Sequence, residues 1–257
     1  ESLIYIEYFQ NGSTPEYSDF SVEHQGRKRK QMQMTRLGDL VGLRYNIQSQ
    51  NDDFEIYNVK NDPGQRHILN EEPGMDLIQN EMKAKVLQSR RPDSEARRPY
   101  DEELIPSVQP DRLVSGVEWS YFPGNFPWVP DVSELRPKEV GNSGVIDLNS
   151  IDKNSDGAIC FEGYFTIPVD GEYTFSMVCG VKAFFRIHNC AVIDEDFGYQ
   201  PGVSKSGKIM LKSGYHPFKI TCLQASGTDP LLDLSWSGPG FEKQSLSPAV
   251  LFHTEKE

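Results

Sequence analysis

The sequence predicts an α+β domain followed by an all-β domain. The first is a small antiparallel sheet with one packed helix over residues 1–91, and the second is an antiparallel β-sandwich, jelly-roll-like, over residues 113–257. Two observations predict this order. Alternating apolar runs give way once, after Pro73-Gly74, to a helical period, and the second half consists of short alternating runs divided by turn residues.

The first domain begins with strands. "LIYIEYF" (Leu3–Phe9) alternates, and "RKQMQMTRLGDLVGLRYNIQ" predicts two strands joined by a Leu-Gly-Asp turn at Leu37–Asp39. A further strand, "FEIYNV" (residues 54–59), runs into the stop signal Asp62-Pro63-Gly64. A small antiparallel sheet follows from these runs.

One amphipathic helix is predicted after this sheet. Met75, Ile78, Met82 and Val86 recur at helical spacing. Asp76 in the first turn and the arginine pair at 90–91 match the helix dipole at its two ends.

A connection separates the two domains. Residues 92–112, "PDSEARRPYDEELIPSVQPDR", contain four prolines and many charges but little apolar periodicity, so they predict an irregular linker. Beyond it, runs such as "AICFEGYFTIPV", "GEYTFSMV" and "LLDLSWSG" are separated by Gly, Asn, Asp and Pro, as in a sandwich or barrel.

Composition limits the partners. The chain of 257 residues carries 38 acidic and 26 basic residues, a formal charge of -12, which argues against nucleic acid as the main partner. No apolar run approaches the ~20 residues of a membrane span. Because the chain starts without Met and enters a strand at once, we expect a piece of a larger, exported polypeptide.

The four cysteines, all in the second half, lie in strand-like surroundings without CxxC spacing. Buried thiols are the favoured interpretation, and one disulfide or a zinc site are the alternatives.

No catalytic residue is predicted. The five histidines lack ligand spacing such as HxxxH, and there is no GxSxG elbow, phosphate loop or dinucleotide fingerprint. "DKNSDGAICFEG" partly matches a calcium loop and makes Asp152, Asn154 and Asp156 weak calcium candidates. Gly163 stands where the bidentate Glu is needed, so a polar turn is the favoured interpretation.

Two surface alternatives stay open. The basic run "RKRK" (Arg27–Lys30) either contacts an anionic sugar or is a solvated loop rim. The aromatic residues of "EWSYFPGNFPW" either stack on sugar or pack in the core, and core packing is favoured. They are Trp119, Tyr121, Phe122, Phe126 and Trp128.

Residues 1–91 resemble the C-terminal subdomain of the sulfatase family. The matching elements are Arg36-Leu37-Gly38-Asp39, the strand Glu55–Val59, Asp62-Pro63-Gly64 and the helix from Met75. The resemblance implies a preceding catalytic domain with a C/S-x-P-x-R motif and a calcium ion, and that motif is absent from this chain.

The sulfatase resemblance also implies that the loop from Gln10 to Lys30 reaches the substrate cleft. His24, Arg27 and Arg29 in this loop are weak substrate-binding candidates.

The second half, Leu113–His253, resembles the protective antigen-like (PA-fourteen) β-module. The marks are "GYFTIPVDGEYTF", "AVID", "KIMLKSGYHPFKI" and "LDLSWSGPGFEKQSLSPAVLF". Sugar-binding members hold calcium with two adjacent aspartates, and here those positions are Gly180 and Val181. Neither side chain supplies the oxygen ligand that calcium requires, which favours a structural or docking role.

The two resemblances together predict the non-catalytic C-terminal region of an exported bacterial sulfatase, a sulfuric ester hydrolase acting on sulfated carbohydrate. This region would support the substrate cleft and lie in the periplasm or be secreted. Its partners would be the missing catalytic domain, which holds calcium, and a sulfated glycan. A carbohydrate-binding module and a purely structural interface between domains are the alternatives.

Overall fold

The computed structural model describes residues 3–90, 92–93, 95–148, 156–224, 227 and 231–255. The chain divides into two compact units, Glu1–Glu103 and Leu104–Glu257. The division lies inside the predicted linker 92–112. Part of that segment therefore belongs to each unit. Within the described residues, the chain is mostly antiparallel β-sheet with one α-helix, as the sequence predicts.

Unit 1 contains an antiparallel sheet and a helix. Four strands pair in the order β1-β2-β3-β4. They are β1 (Leu3–Ser13), β2 (Lys28–Leu37), β3 (Leu40–Arg44) and β4 (Glu55–Asn58). A short 3-10 turn at Val22–His24 lies in the β1–β2 connection, and the helix α1 spans Met75–Ser89. The strand pair about Gly38, at φ +58°, and the helix from Met75 are confirmed.

The apolar face of α1 forms the core of unit 1. Met82 and Val86 are buried against Phe54 and Ile56, as their helical spacing predicts. Burying each such side chain stabilises the fold by about 1.5–3 kcal/mol. A Cβ added to Gly42 would lie 2.4 Å from the sulfur of Met82, so glycine allows the helix to approach β3 closely.

A buried ionic network holds the segment after α1 against β1. Its centre is the Glu7 carboxylate, whose side chain is 18% exposed. Hydrogen bonds and ion pairs reach Glu7 from the Tyr100 hydroxyl (2.7 Å), the Tyr5 hydroxyl (2.8 Å), the Gln31 amide (2.9 Å), Arg98 (3.1 Å) and Arg90 (3.4 Å). Arg90, Arg98 and Tyr100 thus hold their segment on the sheet of unit 1 through specific polar contacts.

Unit 2 is a β-sandwich. Its first sheet has the order β11-β10-β13-β8-β16-β5, with β6 pairing β8 and β7, and its second has the order β12-β9-β14-β15. The strands are β5 (Leu113–Ser115), β6 (Val117–Pro123), β7 (Glu139–Ser143), β8 (Gly157–Ile167), β9 (Gly171–Cys179), β10 (Ala183–Ile187), β11 (Cys190–Glu195), β12 (Ser204–Leu211), β13 (Gly214–Gln224), β14 (Leu232–Gly238), β15 (Phe241–Ser245) and β16 (Leu251–Thr254).

An aromatic cluster fills the space between the two sheets. The ring of Phe165 on β8 stacks on Phe218 at 4.1 Å and on Phe175 at 5.5 Å, and meets Phe185 edge-on at 6.0 Å. These four residues are buried. Rings from both sheets therefore join in one core, in which aromatic pairs add to the burial of area.

All four cysteines are buried thiols, which confirms the favoured interpretation of the sequence. Burial raises the pKa of Cys160 and of Cys179 to about 12 each. Thiolate chemistry at neutral pH is suppressed at these two positions.

None of the helices in the described part of the chain has the length and apolarity of a membrane span.

Candidate functional site

Arg27, one of the predicted substrate-binding residues, is already paired with other side chains of unit 1. Its Nη1 atom lies 2.5 Å from Glu55 Oε2, and its Cζ atom lies over the Tyr45 ring, 4.5 Å from the ring centroid. Burial lowers the pKa of Arg27, but the hydrogen bond and charge of Glu55 outweigh it and leave the pKa raised. A guanidinium already paired in this way has less to offer an anionic ligand.

The surroundings of Arg27 are also of mixed charge. It lines a cavity together with the basic residues Lys28 and Arg44 and the acidic residues Asp52, Asp53 and Glu55. The carboxylates oppose the entry of a sulfate group, because like charges at close range repel.

The other two predicted contacts have separate partners. The His24 ring meets the edge of Tyr57 at 6.3 Å. Arg29 donates from Nη2 to the Ser13 carbonyl oxygen at 2.9 Å. The substrate-binding role of these residues stays a prediction.

Two of the calcium candidates, Asp152 and Asn154, lie outside the described residues. At the third, Asp156, the backbone carbonyl accepts from the Tyr121 hydroxyl at 2.9 Å. Among the described residues, no group of three or more His, Cys, Asp or Glu side chains could hold a metal ion. At Gly180 and Val181, where the resemblance places the calcium-binding aspartates, the Gly180 amide donates to the Leu231 carbonyl oxygen and Val181 is buried.

The structure divides the aromatic segment after β5 into core and surface residues. Tyr121 and Phe122 on β6 are buried, as the sequence predicts for the segment. Trp119 and Phe126 are half-buried. Trp128, which lies beyond the strand, is 64% exposed.

Polar contacts on both sides fix the loop that carries Trp128. On one side, Lys182 Nζ donates to the carbonyl oxygen of Pro127 at 2.8 Å. On the other, the amide of Val129 donates to Asp196 Oδ2 at 3.1 Å. Lys182 and Asp196 form an ion pair with each other at 3.3 Å.

These contacts join three loops of unit 2 at one place. Trp128 lies between β6 and β7, Lys182 between β9 and β10, and Asp196 directly after β11. Phe197, the next residue, is fully exposed. We call the exposed residues Trp128 and Phe197, together with the Lys182–Asp196 pair that joins their loops, the aromatic loop cluster.

Sequence reasoning named Trp128 but missed Phe197, Lys182 and Asp196. "DEDFGY" offers a local signal, since an acidic turn followed by Phe-Gly is an unusual place for a large apolar ring. The contact of Asp196 with Val129 spans 67 positions in the sequence, and nothing local indicates it.

Solved structures similar to this chain include domains of several kinds. An anti-sigma factor domain-containing protein matches at 21% identity and TM-score 0.45, with 57% of this chain covered. This chain spans about half the length of that protein, 50%. The PA14 sugar-binding domain from RTX adhesin matches at 14% identity and TM-score 0.46, with 55% of this chain and 99% of that chain covered.

A third solved structure is the Epithelial Adhesin 9 A domain from Candida glabrata in complex with Galb1-3GlcNAc. It matches at 11% identity and TM-score 0.45, with 58% of this chain and 94% of that chain covered.

No curated protein matches the sequence significantly. The family model described as PA14 domain matches residues 113–248, which includes the strands from β5 to β15. This range is more than half of the 257 residues, and the chain therefore belongs to the PA14 domain family.

Proposed function

We propose that the chain is a carbohydrate-binding module whose PA14 domain presents the aromatic loop cluster to a neutral glycan. The observation that carries the proposal is the exposed Trp128 ring on a loop held at both neighbouring residues. Tryptophan is enriched at binding interfaces, where its large ring supplies contact area. A ring offers the apolar face of a pyranose a large contact area with little loss of conformational entropy.

Membership of the PA14 family supports this proposal, because sugar-binding domains occur in that family. The charge of unit 2 favours a neutral over a sulfated glycan. From Leu104 onward the chain has 12 basic and 19 acidic residues. A negatively charged surface repels a polyanion at long range.

The test is a glycan array followed by titration calorimetry on the intact chain. We expect neutral glycans to bind and sulfated glycans to bind more weakly, with the preference reduced by salt. Trp128→Ala should weaken binding about tenfold, which corresponds to about 1.4 kcal/mol.

Tyr17→Ala is the matched control, because Tyr17 in unit 1 is as exposed as Trp128. Unchanged binding by Trp128→Ala, or an array on which no neutral glycan binds, contradicts the proposal.

A second candidate function, an interface that supports a catalytic domain, is favoured by the outer face of β1. Ile4, Ile6 and Tyr8 alternate along this edge strand and are all exposed. A row of apolar side chains on an edge strand promotes association with another surface. The sulfatase parent, its calcium ion and its sulfated substrate rest on the resemblance of residues 1–91 alone.

This candidate is tested by comparing the chain with a longer polypeptide that includes the proposed catalytic domain. Ile6→Lys should lower the Tm of the longer protein and leave that of the present chain unchanged, since only the former covers the face. Val22→Lys, also at an exposed position of unit 1, is the control. Equal effects of Ile6→Lys on both proteins refute the interface. Sulfate-ester hydrolysis by the present chain alone refutes a supporting role.

We also propose that the chain lies in the periplasm or is secreted. Solved structures described as adhesin domains are consistent with this location.

A further inference from the structure

We propose that Lys182 is the positioning residue of the aromatic loop cluster. Its ammonium group supplies a fixed positive charge between the loops. It holds the loops of Trp128 and Phe197 together, so that neutral glycans bind here without an added metal ion. The inference rests on the proposed function for its ligand and on the geometry of unit 2 for its mechanism.

The Lys182 ammonium contacts two oxygen atoms on different loops. One is the carbonyl of Pro127 at 2.8 Å, and the other is Asp196 Oδ1 at 3.3 Å. An ammonium has three N–H donors and no acceptor, so it can bridge a carbonyl and a carboxylate at once. Oxygen atoms that would otherwise repel each other are thereby brought to one point.

Asp196 links the Lys182 ammonium to the backbone on the other side of Trp128. Its Oδ1 lies at the ammonium and its Oδ2 accepts the amide of Val129. The backbone is thus held at the residue before Trp128 and at the residue after it. Without the lysine charge, the carboxylate and the Pro127 carbonyl would be left close together with no cation between them.

The environment of the pair makes it stronger than an ordinary surface ion pair. The side chains of Lys182 and Asp196 are 31% and 23% exposed, so solvent screens their attraction only in part. A loop that is ordered before binding loses less conformational entropy when the ligand arrives. Lys182 therefore acts on affinity through Trp128 and does not need to touch the glycan.

The experiment compares four proteins: the wild type, Lys182→Met, Lys182→Arg and Lys205→Met. Methionine keeps the length of the lysine stem without its charge, and arginine restores the charge. Lys205→Met is the matched control, because Lys205 also forms a 3.3 Å ion pair, with Glu195. Each protein is titrated with the neutral glycan that binds best on the array, with and without EDTA.

A second readout does not depend on sugar. Acrylamide quenching is measured for each protein with and without Trp128→Phe, and the difference gives the signal of Trp128. Trp236 is buried and Trp119 half-buried, so Trp128 should dominate the quenched fraction.

We expect EDTA to change wild-type affinity by less than twofold. Lys182→Met should weaken binding about tenfold and raise the quenching of Trp128, Lys182→Arg should recover most of both, and Lys205→Met should change neither. The Tm of Lys182→Met should remain close to that of the wild type, which separates loop positioning from global stability.

Loss of wild-type binding in EDTA overturns the inference, and so does Lys182→Met with unchanged quenching. If the wild type binds no glycan, the proposed function fails. The quenching comparison then still decides whether Lys182 positions the loop.

Discussion

The Glu7 network in unit 1 allows a quantitative prediction for Glu7→Gln. In this variant the amide replaces a carboxylate that accepts three hydrogen bonds shorter than 3.0 Å, from Tyr100, Tyr5 and Gln31. A hydrogen bond to a charged acceptor contributes about 1 kcal/mol more than one to a neutral acceptor. The free energy of unfolding of the variant should therefore be about 3 kcal/mol lower than that of the wild type. A loss of this size is typical when one member of a buried ion pair is removed.

The pH dependence gives a second measure of the same network. Burial raises the pKa of Glu7, but hydrogen bonds from Tyr100 and Tyr5 and the charges of Arg90 and Arg98 outweigh it and leave the pKa lowered. A carboxyl group with a lowered pKa stabilises the fold above its unfolded pKa of about 4.3 and loses this contribution as pH falls through its folded value. The difference in the free energy of unfolding between wild type and variant should be largest at pH 7 and should shrink below about pH 4.

The assay is urea denaturation followed by two signals. Circular dichroism at 222 nm reports α1 in unit 1, and tryptophan fluorescence reports unit 2, where all three tryptophans lie. Glu81→Gln, at an exposed position of α1, is the control. A loss below about 1 kcal/mol, or a loss of equal size at pH 7 and pH 3.5, would refute the reasoning.

Three further predictions concern unit 2. Phe165→Ala should destabilise it by about 4 kcal/mol in urea titrations followed by tryptophan fluorescence, because its ring lies among three other phenylalanine rings; a loss under about 2 kcal/mol contradicts this. Burial lowers the pKa of His216, so the unfolded state binds a proton that the fold excludes, and stability should fall as pH drops below about 6.5. His216→Gln should flatten this slope, and an unchanged slope would exclude His216 as its source. Gly207→Ala should cost about 2 kcal/mol, since the added Cβ would lie 1.9 Å from the Val192 carbonyl oxygen; an unchanged midpoint argues against that close approach.

The features that could be predicted from the sequence are those with a local period. Met82 and Val86 lie one helical turn apart and are buried together against β4, so periodicity alone identifies α1. Phe122 on β6 is buried in a cluster with Val132 and Cys160, as its place in an apolar strand segment predicts. Local pattern and burial agree in these elements.

Tyr100 was outside the reach of sequence reasoning. It lies in a proline-rich segment without periodicity, yet it is buried and donates its hydroxyl to Glu7 on a strand 93 positions earlier. The burial of one residue in an irregular segment depends on a distant partner, and no local pattern records it.

The aromatic loop cluster shows the same limit at the candidate site. Trp128 and Phe122 come from one aromatic segment, and composition does not tell which is exposed. The outcome is set by the end of β6 at Pro123 and by the contacts of the loop with Lys182 and Asp196. Those two residues lie on other loops, so the surface exists only once the sandwich has folded.

The buried thiols of unit 2 allow the rate at which its core opens to be measured. All cysteines of the chain lie in this unit, and Cys222 in particular is fully enclosed, with a pKa raised by burial. An alkylating reagent can reach such a sulfur only during a transient opening of the sandwich. The labelling rate of Cys222 therefore reports how often the sandwich opens. Unit 1 contributes no signal, because it contains no cysteine.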